Sequence, residues 1–394
     1  MSADGALEAS IENPLADPPG EPIPVGRPHL WGNELDHLRE ALGGGWISSR
    51  GPVVEAFEDR FARRLGRANA LAVSSGTAAV HLALECLGVG PGDEVIVPDF
   101  CMVAPVFAVT YCGASPVPVD VDETWNMAPA AVAAAITPRT RVILVVHAYG
   151  HPADMRELSE ITRRSGVPIV EDAAEALGAT VSGRPAGSFG VLTCFSFYAN
   201  KLITTGEGGM VVTDNPTLHR RAKWKRDMCF GPDEASRFVH AEVGFNYRLT
   251  SLQAAVGLAQ LEHFDEALRR KVEIAGWYRA RLAGMPGLLL PPEADWATNA
   301  YWVYGIVVRP EFGSTRDGLQ RRLAARGIET RRFFAPVHEQ PFINRTGGEP
   351  DFPRTRFLSR HGLYLPSYIG MTEADVDRVA REIQSASRTR TRTR

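Results

Sequence analysis

Five cysteines in 394 residues are too few, and too irregularly placed, to staple a fold. Cys86, Cys101, Cys112, Cys194 and Cys229 are odd in number and sit mostly among apolar neighbours. Their spacing matches neither a metal-ligand set nor a disulfide framework, so free thiols, no metal centre and a reducing cytoplasm are expected. No apolar run approaches the ~20 residues of a spanning helix, and no basic-then-apolar leader opens the chain, so no membrane role is expected. Basic charge is not in excess: 43 Lys and Arg against 46 Asp and Glu give a net charge of −3. That leaves no general field to hold nucleic acid. Hydrophobic residues make up 44% of the chain, enough for a substantial core.

From Ala70 onward, short Val- and Ile-rich runs alternate with amphipathic stretches. Strands are predicted at Glu94–Val97, Ser115–Val119, Val142–Val146, Pro168–Val170, Thr193–Phe197 and Met210–Val212. Helices fall between most of them, as at Ala128–Ile136 and Met155–Ser165. This rhythm predicts an α/β fold with a mostly parallel sheet covered by helices on both faces. Ahead of it, Val54, Phe57, Phe61 and Leu65 have helical spacing. Behind it, Leu252–Leu282 reads as a long helical stretch interrupted near Phe264-Asp265. A smaller α+β unit follows, with a strand at Val303–Val308, a helix at Thr315–Arg326, and a last strand and helix near Leu363–Leu365 and Glu373–Ile383.

Three segments carry chemistry. Lys201 stands between an aromatic run (Phe195, Phe197, Tyr198) and the glycine-dense loop Thr204-Thr205-Gly206-Glu207-Gly208-Gly209, with no charge immediately beside it. Confinement lowers a lysine's pKa and frees its amine to attack a carbonyl; the plainer alternative is a core-edge lysine whose ammonium reaches water. Asp172 ends an apolar strand 29 residues earlier, at the strand end where open parallel sheets present ligand groups; on its own it would also serve as a helix N-cap. Ser74-Ser75-Gly76-Thr77 is a tight turn into a helix, which is an anion site as well as ordinary capping. A carboxylate, a carbonyl-reactive lysine and a phosphate turn together make the set that pyridoxal phosphate requires.

Ser75-Gly76-Thr77, Glu171-Asp172-Ala173-Ala174, the loop from Asn200 to Met210 and Gly244-Phe245-Asn246-Tyr247-Arg248 occur in that order. Together they resemble the DegT-type sugar nucleotide aminotransferases, which are fold type I pyridoxal phosphate enzymes, over about residues 23–383. The lysine loop and the phrase from Val146 to Pro152 are most similar to the GDP-perosamine synthase branch. The resemblance implies a large cofactor domain over 23–260 and a small C-terminal domain over 261–384. The tails 1–22 and 385–394 are expected to be disordered.

It also implies roles. Lys201 and Asp172 would be catalytic, with Gly76, Thr77, Met102, Glu175, Ser196 and Asn246 completing the cofactor site. Ser49, Tyr149, Arg331 and His338 would meet substrate. At Met102 the family usually carries an aromatic, which is a departure on the pocket wall. Asn246 would reach the neighbouring subunit of a homodimer with shared sites; the alternative is that it caps the helix after it. L-Glutamate is the implied amino donor and GDP-4-keto-6-deoxymannose the implied acceptor. A GDP-3-keto isomer (mycosamine-type) or a dTDP-ketosugar are the other acceptors, and a non-catalytic, cofactor-binding regulator is the reading of a different class. The family's dehydrating members carry histidine where this chain has Lys201.

Overall fold

The computed structural model describes residues 21–343 and 351–388. Its centre is a seven-stranded sheet built from Asn69–Val73 (β1), Glu94–Pro98 (β2), Ser115–Val119 (β3), Thr140–Val146 (β4), Ile169–Asp172 (β5), Leu192–Ser196 (β6) and Gly209–Thr213 (β7). The spatial order is β1-β7-β6-β5-β4-β2-β3. Pairing is parallel from β6 through to β3, while β7 runs antiparallel to both of its neighbours. Strand periodicity explains how this sheet is buried on both faces. Val142, Leu144 and Val146 enter one core with helices Gly76–Cys86 and Ala104–Tyr111. Ile143 and Val145, between them, enter the opposite core with helix Met155–Ser165.

The amphipathic helix Pro52–Leu65 buries Val54, Phe57, Phe61 and Leu65, and ends on Gly66 in a left-handed cap. The long helical stretch divides at His263 into Ser251–Glu262 and Phe264–Leu282. A second, antiparallel sheet follows from Leu288–Leu289 (β8), Tyr304–Val308 (β9), Arg331–Arg332 (β10) and Gly362–Leu365 (β11), in the order β8-β9-β11-β10. Its core joins Tyr278, Tyr304, Leu319, Leu363 and Val379. The N-terminal segment closes against it, since Ile23 N–H donates to Gly327 O and Ile23 bridges Ile328.

One boundary differs from the sequence expectation. The last helix runs Glu373–Arg388, four residues past the expected end of order at 384. Its helical pattern is sustained because Ile383 and Ala386 still reach the small-domain core. Residues 1–20 and 389–394 of the expected tails lie outside the described residues.

Candidate active site

The cavity that gathers the predicted residues is about 460 Å³ and lies at the carboxyl ends of β4 and β5. This falls within the range of small-ligand and cofactor pockets. Its walls include Ser75, Gly76, Thr77, Met102, Asp172, Glu175, Ser196 and Lys201, from four separate chain segments, together with Arg331 from the small domain.

The phosphate turn is fixed by two close approaches. Ser75 caps helix Gly76–Cys86, its hydroxyl accepting from Ala78 N–H at 3.1 Å. The N–H groups of the first helical turn have no intrahelical partner and face outward. A Cβ on Gly76 would lie 2.8 Å from Ser196 Cβ, and one on Gly209 only 2.5 Å from Ser75 O. The absence of both side chains therefore lets β6 and β7 press against the turn.

The lysine loop is held by its own polar groups. Thr204 Oγ1 donates to Phe197 O at 3.0 Å and accepts from Gly206 N–H at 2.9 Å, while Thr205 Oγ1 donates to Glu207 O at 2.7 Å. Lys201 Nζ sits 3.6 Å from the ring centre of Trp302. The indole in turn donates to Asn200 O at 2.9 Å. Burial lowers the Lys201 pKa, opposed by the charges of Glu175 and Asp172.

Asp172 and its chain neighbour Glu171 face opposite ways, as successive strand residues must. Asp172 lines the cavity and accepts from Ala174 N–H at 3.0 Å. Burial raises its pKa, opposed by that bond and by Lys201. Glu171 is turned away and fully engaged. It accepts from Gly187 and Phe189 N–H at 2.8 and 2.7 Å, from Gly190 N–H, from Thr193 Oγ1 and from His147 Nε2. His147 Nδ1 accepts from Ala153 N–H, so its Nε2 carries the proton given to Glu171. Glu175 accepts from Tyr149 N–H at 2.9 Å, and burial pushes it up to about 7.

Several expected residues stand elsewhere. Tyr149 is buried behind the wall, in the left-handed region at φ 55°, its hydroxyl accepting from Phe334 N–H at 3.3 Å. It shapes the wall through Phe333, Phe334 and Tyr364 and does not line the cavity. His338 is likewise buried, and Asp99 holds both its backbone N–H at 2.8 Å and its Nδ1 at 2.7 Å. That internal pair anchors His338, which does not line this cavity. Ser49 belongs to a loop anchored on helix Ser251–Glu262 by Ser251 N–H to Ser48 O and Ser251 Oγ to Arg50 O. It does not reach this chain's own cavity.

Asn246 is exposed, on a segment tied to the end of β1 by Ser74 N–H to Tyr247 O and a bridge from Val73 to Arg248. The following helix is capped by Thr250 in a capping box with Gln253, so Asn246 is not its cap. Trp302, Phe334 and Tyr364 also line the cavity. Phe334 belongs to the same segment as Arg331, whereas Trp302 and Tyr364 escaped the sequence reading because they lie about 100 residues or more beyond Lys201 and no short motif marks them.

The residues fit pyridoxal phosphate: a glycine-cleared anion turn, a buried carboxylate and a lysine pushed toward its neutral amine converge on one cavity. No metal is needed for that chemistry. Among the described residues, the atoms of His81, Glu85 and Cys112 lie within 4.8 Å of one another, but Lys225 already pairs with Glu85 at 2.9 Å. All five cysteines are buried free thiols. No helix among the described residues is long and apolar enough to cross a membrane.

Comparison with known proteins agrees. Residues 29–384 match the DegT/DnrJ/EryC1/StrS aminotransferase family. The chain is 43% identical to GDP-perosamine synthase of Caulobacter vibrioides over 359 residues, covering 91% of this chain and 96% of that protein. Among solved structures it is similar to DesI in the presence of its TDP-sugar product, with 33% identity, 94% and 95% coverage and a TM-score of 0.87. The PLP form of the sugar aminotransferase Spr1654 from Streptococcus pneumoniae superposes with a TM-score of 0.86 at 26% identity, over 93% of this chain and 98% of that one.

Proposed function

The chain belongs to the DegT/DnrJ/EryC1/StrS aminotransferase family and is a pyridoxal phosphate-dependent sugar nucleotide aminotransferase; from that premise we propose that it carries nitrogen from L-glutamate to GDP-4-keto-6-deoxymannose. The observation that carries the chemistry is the convergence of Lys201 and Asp172 on one cavity beside the Gly76 turn. The acceptor rests on the 43% identity to GDP-perosamine synthase.

When bound, pyridoxal phosphate supplies a carbonyl that takes the amino group and a ring that withdraws electrons from the adjacent carbon. Lys201 would hold that carbonyl, and its amine, when free, would serve as the base that holds and moves a proton at the donor α-carbon. Such a positioned base contributes roughly two to four orders of magnitude. Trp302 covers the Lys201 amine and limits its excursions. Asp172 would keep the ring nitrogen protonated, while the N–H groups at Gly76 and Thr77 would hold the phosphate. Arg331, exposed at the mouth of the cavity, offers a guanidinium to the diphosphate. The two halves of the reaction give ping-pong kinetics.

Asn246 supports a homodimer with shared sites: it is exposed, free of the capping role, and rooted beside the phosphate turn of its own chain. Mixing Lys201→Ala with Asn246→Ala protein tests this. Shared sites predict recovered activity in exchanged dimers, and confirmed exchange without recovery removes the claim.

One observation favours a second acceptor. The likeness to DesI with its TDP-sugar product keeps a dTDP-ketosugar as the alternative. Mass spectrometry of products from a panel of GDP- and dTDP-linked ketosugars separates the two. Amination of a dTDP substrate alone would overturn the GDP reading, and a cofactor inert to glutamate would overturn catalysis altogether.

A further inference from the structure

Among the described residues, the buried Lys and Arg side chains are Arg67, Lys225, Arg226 and Lys271. Arg67 lies 3.2 Å from Asp214, Lys225 2.9 Å from Glu85 and Arg226 2.8 Å from Glu58. Lys271 differs. It projects from helix Phe264–Leu282 and is 6% exposed. Its ammonium donates to Ser367 O and, at 3.2 Å, to Ser367 Oγ. Among the described residues no carboxylate lies near enough to affect its charge, and burial alone pulls its pKa down to about 7. An unpaired buried cation is costly, and the third donor of this ammonium has no protein partner to offset that cost.

What Lys271 does face is a second cavity, about 220 Å³, between the N-terminal segment Val25–His29 and the small domain. This space shares Lys201, Trp302, Arg331 and Tyr364 with the cofactor cavity, so the two meet at the reactive amine. No Asp or Glu lines it among the described residues; its titratable neighbours are Arg27, His29, Tyr198, Lys201, Arg331, Tyr364 and Tyr368. A partly open space lined by Arg27, Arg331 and Lys271 and by no acid suits an anion. Its volume is below the range for drug-sized ligands, which admits a five-carbon amino acid and excludes a sugar nucleotide. A lone ammonium also acts as a point charge and lacks the planar fork that diphosphates favour.

We propose that this cavity is the carboxylate subsite of the amino donor, with Lys271 as its fixed counter-charge. The proposal deepens the aminotransferase reading and rests on it, because a donor with its amine at Lys201 would extend a carboxylate into the space Lys271 lines. Lys271 then binds substrate and takes no part in proton transfer.

The test uses the holoenzyme and glutarate, a dicarboxylate with no amine to react. Calorimetric titration of wild type, Lys271→Gln and Lys271→Arg gives affinities, and single-turnover absorbance follows each half-reaction separately. One charge-assisted hydrogen bond corresponds to roughly a ten- to hundredfold change in binding. Lys271→Gln is expected to weaken glutarate by that factor and to raise the half-saturating L-glutamate concentration equally. The sugar nucleotide half-reaction should be unchanged, and Lys271→Arg should restore most of the loss. Above neutral pH, glutarate binding to wild type should take up a proton, seen by repeating the titration in buffers of different ionisation enthalpy. Lys271→Gln should abolish that uptake, whereas uptake at Glu175, which titrates in the same range, would survive the substitution.

Unaltered glutarate affinity in Lys271→Gln overturns the proposal, as do equal losses in both half-reactions. Inorganic phosphate displacing glutarate at lower concentration reassigns the cavity to phosphate and overturns the carboxylate. If Lys271→Gln does not fold, wild-type binding without proton uptake is itself the refuting result. An enzyme that takes nitrogen from glutamate but aminates none of the ketosugars fails the acceptor reading and leaves this test intact.

Discussion

Asp172→Asn separates catalysis from folding most cleanly. The side chain is 7% exposed, and its one hydrogen bond in the cavity wall, from Ala174 N–H at 3.0 Å, is to an oxygen that asparagine also has. The fold should therefore lose less than about 1 kcal/mol, the net worth of one neutral hydrogen bond. The pH dependence has a definite sign. Burial raises the Asp172 pKa above its ordinary 3.8, so the folded protein holds this proton more tightly than the unfolded chain does. Its contribution to stability is fully present below pH 3.8 and declines as the pH rises. Asparagine removes that decline, so the cofactor-free variant should melt at or above the wild-type temperature near neutral pH.

Activity should behave oppositely. Deleting one partner of a buried charged pair costs about 3–5 kcal/mol, which corresponds to roughly two to four orders of magnitude in rate. The assay is the glutamate half-reaction followed by cofactor absorbance, beside differential scanning fluorimetry of the cofactor-free protein. Turnover within a few-fold of wild type would refute the assignment and leave Glu175 as the acid. Glu171 cannot substitute, because all its oxygens are committed on the far side of the strand.

Further outcomes follow from the same geometry. Borohydride reduction and peptide mapping should place the pyridoxyl label on Lys201, and Lys201→Ala should fail to turn over; a label on another lysine defeats the assignment. Glu171→Gln should be the mirror image of Asp172→Asn, losing about 3–5 kcal/mol because its amide must face N–H donors; an unchanged melting temperature would contradict the bonding described. Burial lifts Glu175 from its ordinary 4.5 to about 7, so its stabilising proton is lost as the pH rises through that interval. Glu175→Gln should flatten the melting temperature of the cofactor-free protein between about pH 4.5 and 7, and an unaltered slope would show that Glu175 ionises normally.

Some of this site was legible in the chain itself. The alternation of Val- and Ile-rich runs with amphipathic segments dictates a sheet buried on both faces, because each periodicity permits one way of hiding apolar surface. The Ser75-Gly76-Thr77 turn, Asp172 at a strand end and Lys201 in a glycine loop are likewise local facts. Each depends on a few consecutive residues and on backbone hydrogen bonding over short separations.

Other features arise only when distant segments pack. Nothing in the sequence near Trp302 says that its ring will cover Lys201, or that Asp99 will claim His338 across 239 residues. Adjacent acids at 171 and 172 must face opposite ways in any strand, but which one meets the cavity follows from the strand order and the helices on each face. Lys271 reads as one more base on an amphipathic helix. Only the closure of the small domain and the N-terminal segment removes it from water and leaves it without a carboxylate neighbour among the described residues, because desolvation and pairing depend on the whole surrounding volume and not on neighbours in the chain.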